Sequence, residues 1–92
     1  MGDDSLFDWD RANVAHLRKH RVSASEFEEA TLNDPIEMEC QEESGEPRFK
    51  SLGRTGKGRL LVLVWTVRGE RVRAITAYPA SRALARMWPR LV

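Results

Sequence analysis

Two groups of side chains in this 92-residue chain are of types that handle anions and protons. The first is Arg18-Lys19-His20, three consecutive bases. The second is Arg71, Arg73, Thr76 and Tyr78, followed closely by Arg82. Arginine presents a planar fork of donors that matches a phosphate or carboxylate, and imidazole ordinarily exchanges a proton near neutrality. Together they read as an anion site with an acid–base group. Each group also has a plainer reading. The first ends a helix, where the macrodipole favours cations by about 0.3–1 kcal/mol. The second contains arginines that, one at a time, are usually solvated. Arg82 falls at a helix start, an unfavourable place for a cation, so a bound anion there is a reasonable compensation. Alternation along the last strand puts Arg71, Arg73, Ile75 and Ala77 on one face and Val72, Ala74, Thr76 and Tyr78 on the other. Pleating alone therefore does not bring Arg73 to Tyr78.

Other chemistries find little support. There is no P-loop, and Gly53-x-x-Gly56-x-Gly58 follows a strand but opens no helix, so it fails the context of a dinucleotide site and reads as a mobile hairpin loop. His16 and His20 are one helical turn apart, but no third ligand is evident, so neither a metal nor another cofactor is expected. Cys40 is the only cysteine. It excludes an internal disulfide, reads as a small core residue, and fits a reducing, cytoplasmic setting. The start, with Gly2, Asp3 and Asp4, does not resemble a secretory signal. The longest apolar run, Leu60 to Val67, is far short of the roughly 20 residues of a membrane span, so no membrane role is expected.

The elements that position these groups are those of one α+β domain over residues 1–92. Asp10 caps a first helix, with Val14 and Leu17 inward and an end near Arg21. Trp9 and Val14 have the spacing of a hydrophobic staple. Ser23 and Glu26 form a capping box for a second helix, whose inward residues are Phe27, Ala30 and Thr31. Asp34-Pro35 ends it. Ile36, Met38 and Cys40 alternate with Glu37, Glu39 and Gln41 as a strand with one wet face. Strands follow at Arg48–Arg54, at Leu60–Val67 (covered on both faces) and at Val72–Ala77, giving a four-stranded antiparallel meander. A third helix begins at Pro79 or Ser81. It lays Leu84, Met87, Trp88 and Leu91 on the sheet, and Pro89 limits its length.

Charge is divided along the chain. Residues 1–50 hold 13 acids and 6 bases, whereas residues 51–92 hold one acid, Glu70, and 9 bases. That asymmetry points to a surface for a polyanion unless folding intermixes the halves.

The ordered set of residues resembles the BrnT toxins. It comprises Phe7-Asp8-Trp9-Asp10, Asn13, Leu17-Arg18-Lys19-His20, Val22 and Phe27, then Glu46, Arg48, Gly53-Arg54, Leu60–Val64 and Arg71-Val72-Arg73-Ala74-Ile75-Thr76-Ala77. The resemblance implies a RelE-like ribonuclease toxin of a type II toxin–antitoxin pair. It also implies a BrnA-like ribbon-helix-helix antitoxin partner, joined in a hetero-oligomer that meets operator DNA only through the antitoxin. Arg21, Tyr78-Pro79 and Met87-Trp88-Pro89 depart from the family pattern. On this reading the expected reaction is metal-independent RNA cleavage by attack of the 2′-hydroxyl, with Lys19, His20, Arg73 and Tyr78 catalytic. Arg18, Arg54 and Arg82 would contact RNA. The rival is a non-catalytic module binding an antitoxin or RNA, which would not be toxic when expressed alone. A lone duplex-binding regulator ranks last, because no recognition helix stands out.

Overall fold

A computed structural model describes residues 6–91, so Gly2, Asp3 and Asp4 lie outside the described residues. Helices α1 (Arg11–Lys19) and α2 (Ala24–Leu32) come first. Strands β1 (Ile36–Glu43), β2 (Glu46–Arg54), β3 (Leu60–Arg68) and β4 (Arg71–Pro79) follow, and α3 (Arg82–Leu91) closes the chain. The strands form one antiparallel sheet in the order β1-β2-β3-β4, so the α+β meander is as expected.

Both helix starts are built as their residues predict. The Asp10 side chain accepts from the Asn13 backbone N–H at 2.9 Å, and Asn13 returns the bond to the Asp10 N–H at 2.8 Å. Ser23 and Glu26 make the reciprocal pair at the start of α2. The end of α1 is a Schellman turn: Val22 N–H reaches Leu17 C=O and Arg21 N–H reaches Arg18 C=O. Leu17 and Val22 bury the hydrophobic contact that accompanies it. The motif places Arg21 at φ 61°, in the left-handed region that favours glycine. An L residue pays roughly 1–2 kcal/mol there, partly offset by the extra unfolded-state freedom of glycine. Arg21→Gly is therefore expected to stabilise the fold by about 0.5–1 kcal/mol, read as a higher urea midpoint. An unchanged or lower midpoint would show that the Arg21 side chain compensates elsewhere.

The core lies between the two helices and one sheet face. It joins Leu17, Val22, Phe27 and Ala30 to Leu61, Leu63, Ala74 and Ala77, with Phe7 from the N-terminal segment. That segment adds a parallel bridge from Phe7 to Val72 at the β4 edge. Gly53 is the close approach under α2, where a Cβ would meet the Ala30 carbonyl oxygen at 2.6 Å. Gly53 is thus a buried packing residue inside β2, not part of a mobile loop. Both tight hairpins have paired positive φ angles, Ser44-Gly45 and Gly69-Glu70, which match the right-handed twist of the strands they join.

Several expectations are corrected. β1 is exposed from Glu37 to Glu43 on both faces, and Cys40 is exposed with it, because β1 is an edge strand and a register shift between Glu37 and Glu39 breaks its alternation. Asn13, not Val14, is buried beside Leu17, since its side chain closes the cap and donates to the Asp8 carbonyl. β3 is buried on both faces only over Leu61, Val62 and Leu63. No residue of α3 is buried, and Met87 and Leu91 are exposed, so its apolar stripe is not laid down on the sheet. Ser81 caps α3 by accepting from the Leu84 N–H, and the helix continues through Pro89 to Leu91.

Candidate functional site

The position of a functional face is decided by one irregularity in β4. Pairing runs Val62↔Tyr78, Val64↔Thr76, then shifts, so that Trp65 meets Ala74 and Thr66 meets Arg73. Val62, Val64 and Thr66 alternate regularly on β3 and share one face. Their partners Tyr78, Thr76 and Arg73 therefore share it too, despite the odd spacing from Arg73 to Thr76. The extra residue, Ile75, forms a β-bulge, a device that re-aims side chains at sheet edges. Simple alternation separates Arg73 from Tyr78; the bulge reunites them. On the core side the same shift lets Ala74 and Ala77, three apart, both be buried.

Helix α1 runs along this edge and contributes a matching row. At its start Asp10 accepts from Arg73 Nη2 at 2.6 Å. In the middle His16 Nε2 lies 3.1 Å from Thr76 Oγ1. At its end the His20 ring is 6.3 Å from the Tyr78 ring and 5.5 Å from the His16 ring. The Schellman turn fixes His20 at the cap, so the backbone rather than side-chain packing holds it beside Tyr78.

Arg73 is strongly engaged. Besides Asp10 it contacts Asp8 at 3.5 Å, and its side chain is 19% exposed. The Asp10 hydrogen bond, and then the charges of Asp10 and Asp8, raise its pKa further. Asp10 is held below the usual carboxylate value, first by the Asn13 N–H and then by Arg73. Glu26 is lowered too, first by the Ser23 N–H and then by Arg59, which lies 3.0 Å away. Both carboxyls bind protons more weakly folded than unfolded. Their contribution to stability is complete above the ordinary range, about pH 4–4.5, and is lost as pH falls through the lower folded-state values. The urea midpoint should therefore drop on acidification below that range. Asp10→Asn, which keeps the capping oxygen but not the charge, should shrink the drop; a midpoint flat through the acid range would contradict this.

A cleft of about 270 Å³ opens at the Arg73 end of the row, lined among others by Ala12, His16, Arg48, Thr66, Arg68 and Arg73. His16, Arg48 and Arg68 were not among the expected site residues. His16 was visible as the residue one turn before His20. Arg48 and Arg68 emerge only from the strand register, which puts them on the face of Thr66 and Arg73.

Of the expected residues, His20, Tyr78 and Arg73 are brought to one edge. Arg18 and Lys19 are exposed on the last turn of α1, and Arg18 also borders a small depression with Arg21 and Glu26. Arg54 ends β2 and is exposed, with its guanidinium near Gly58. Arg82 is exposed on the first turn of α3. The charge division is partly neutralised, because bases of the second half pair with acids of the first: Arg59 with Glu26 at 3.0 Å, Arg68 with Glu46 at 3.0 Å and Arg73 with Asp10 at 2.6 Å. Among the described residues, no group of three or more His, Cys, Asp or Glu is arranged to hold a metal ion. No described helix is long and apolar enough to cross a membrane.

Comparison with curated proteins gives no match. A family model described as "Ribonuclease toxin, BrnT, of type II toxin-antitoxin system" matches residues 9–83, the span from Trp9 through the whole sheet to the first turn of α3. With most of the chain matched, and with the α+β architecture in place, the chain belongs to the BrnT family of type II toxin–antitoxin ribonuclease toxins.

Proposed function

We propose that this protein cleaves RNA without a metal ion, using the edge formed by α1 and β4. The observation that carries the reading is the single row of Arg73, Thr76 and Tyr78 on the bulged strand, faced by His16 and His20. The 2′-hydroxyl attacks the adjacent phosphorus, the P–O5′ bond breaks, and a 2′,3′-cyclic phosphate and a 5′-hydroxyl result. His20 takes or returns the proton, and Tyr78 stacks on a base or donates to the leaving oxygen. Lys19 and Arg73 offset the charge that develops on the phosphorane. Arg18, Arg54 and Arg82 hold flanking backbone. In the cytoplasm a BrnA-like ribbon-helix-helix antitoxin binds the toxin in a hetero-oligomer, and operator DNA is met through that partner alone.

A second reading has one observation in its favour. Arg73 is already paired with two carboxylates, which suits a binding face as well as a catalytic one. Incubating the purified protein with RNA in excess EDTA separates the two. Cleavage leaving cyclic-phosphate ends is expected. Loss of cleavage on chelation would remove the metal-independent mechanism, and intact RNA with or without metal would favour the binding module.

A further inference from the structure

We propose that the cleft beside α1 is a subsite for a backbone phosphate of single-stranded RNA, held chiefly by Arg48 with Arg68. This rests on the RNA-cleaving reading above and extends it to a second point of substrate contact. The cleft's three arginines differ in what already occupies them. Arg73 is taken up by Asp10 and Asp8. Arg68 pairs with Glu46 at 3.0 Å through one Nη and is 57% exposed, which leaves further donors of its guanidinium for a phosphate. Arg48 approaches Glu43 only at 3.6 Å, beyond a good hydrogen bond, and its Nε is buried without any partner. A buried N–H on a cation is costly to leave unpaired, and a phosphate oxygen satisfies it while using the guanidinium fork.

Size and position agree with a backbone phosphate. At about 270 Å³ the cleft falls below the roughly 300–1,000 Å³ of pockets that enclose a whole small ligand. It accepts one group of a chain that continues past it. His16 lines the cleft and also touches His20. The two histidines are one turn apart, about 6 Å along the helix, a distance on the scale of one nucleotide step. A strand cut at His20 and continuing past His16 thus enters the cleft that Arg48 lines. Glu46 in the cleft wall disfavours an anion when unpaired, and its pairing with Arg68 limits that penalty.

The test is equilibrium binding of a 2′-O-methyl oligoribonucleotide, which cannot be cut, to the full chain over a range of salt. Arg48→Gln should weaken binding on the order of tenfold. It should also flatten the slope of log affinity against log salt by about 0.7, the value for one single-strand phosphate. Arg48→Lys should keep the slope and lose part of the affinity. Lys57→Gln, in the turn at the far end of the sheet, should change little. Thermal unfolding is followed for each variant, and Arg68→Gln carries the test if Arg48→Gln does not fold. Affinity and slope equal to the parent's would overturn the subsite, as would absence of oligonucleotide binding by the parent. So would unchanged RNA binding with lost binding of poly-glutamate, which would make the cleft an acidic-peptide site. A parent that binds through Arg48 but does not cut RNA leaves the subsite standing and removes the catalytic reading. A parent that cuts RNA with Arg48 immaterial does the reverse.

Discussion

Replacing His20 with alanine is expected to lower RNA cleavage by about 10²–10⁴-fold, the usual contribution of a positioned acid or base. The fold should survive. His20 is exposed, and what it gives the Schellman turn is its backbone N–H, which alanine retains. Surface changes of this kind usually cost no more than about 0.5 kcal/mol. A loss of cleavage with an unchanged urea midpoint is therefore chemical in origin. Initial rates on a short oligoribonucleotide and growth arrest on expression without antitoxin are the two readouts. If the variant cuts and arrests like its parent, His20 is not in the chemistry. Tyr78→Phe is the companion: it keeps the ring and removes the hydroxyl, so a normal rate would assign Tyr78 to stacking.

Phe27→Ala is expected to destabilise the protein by about 3–5 kcal/mol, the cost of deleting a buried aromatic side chain. Phe27 is fully buried on α2 and meets Trp9 and Phe7 edge-on, with ring centroids 5.7 and 6.3 Å away. Such pairs add about 0.5–1.5 kcal/mol beyond area burial. Marginal domains have total stabilities of only about 5–15 kcal/mol, and a chain this small lies toward the lower end. The effect should extend to activity, because the N-terminal segment that Phe27 anchors carries Asp8 and Asp10, the partners of Arg73. Denaturant unfolding should show the midpoint fall sharply for Ala and much less for Leu. A loss below about 1 kcal/mol would mean that the aromatic cluster is not a principal support.

The two effects lie on different links of one chain. Aromatic packing holds the N-terminal segment and α2 together; capping at Asp10 and the turn at Arg21 then set both ends of α1. Only with both ends set do His16 and His20 lie opposite Thr76 and Tyr78. Arg73 tightens the same assembly, which makes it a positioning residue as well as a candidate for phosphate charge. Removing it alone would therefore mix structural loss with chemical loss, whereas His20 separates them.

What the sequence determined by itself was local. The capping pairs Asp10–Asn13 and Ser23–Glu26 involve residues three apart, and the Ser44-Gly45 and Gly69-Glu70 hairpins depend on the residues at the turn. Such features report directly in the sequence because their hydrogen bonds close within a few residues. The strand order followed from short connections, and the family resemblance from residues in the right order. Tertiary structure decided what depends on partners far along the chain. The bulge at Ile75 is invisible in a run of alternating residues, yet it moves Arg73 to the face of Tyr78, since register is set between strands. The edge position of β1 exposes Cys40, and the close approach of α2 explains Gly53. The basic cluster at Arg18-Lys19-His20 was legible as a row of side-chain types. That His20 faces Tyr78, while Arg48 is left with an unpartnered buried N–H, follows from how α1 lies along β4 and how β2 pairs with β3.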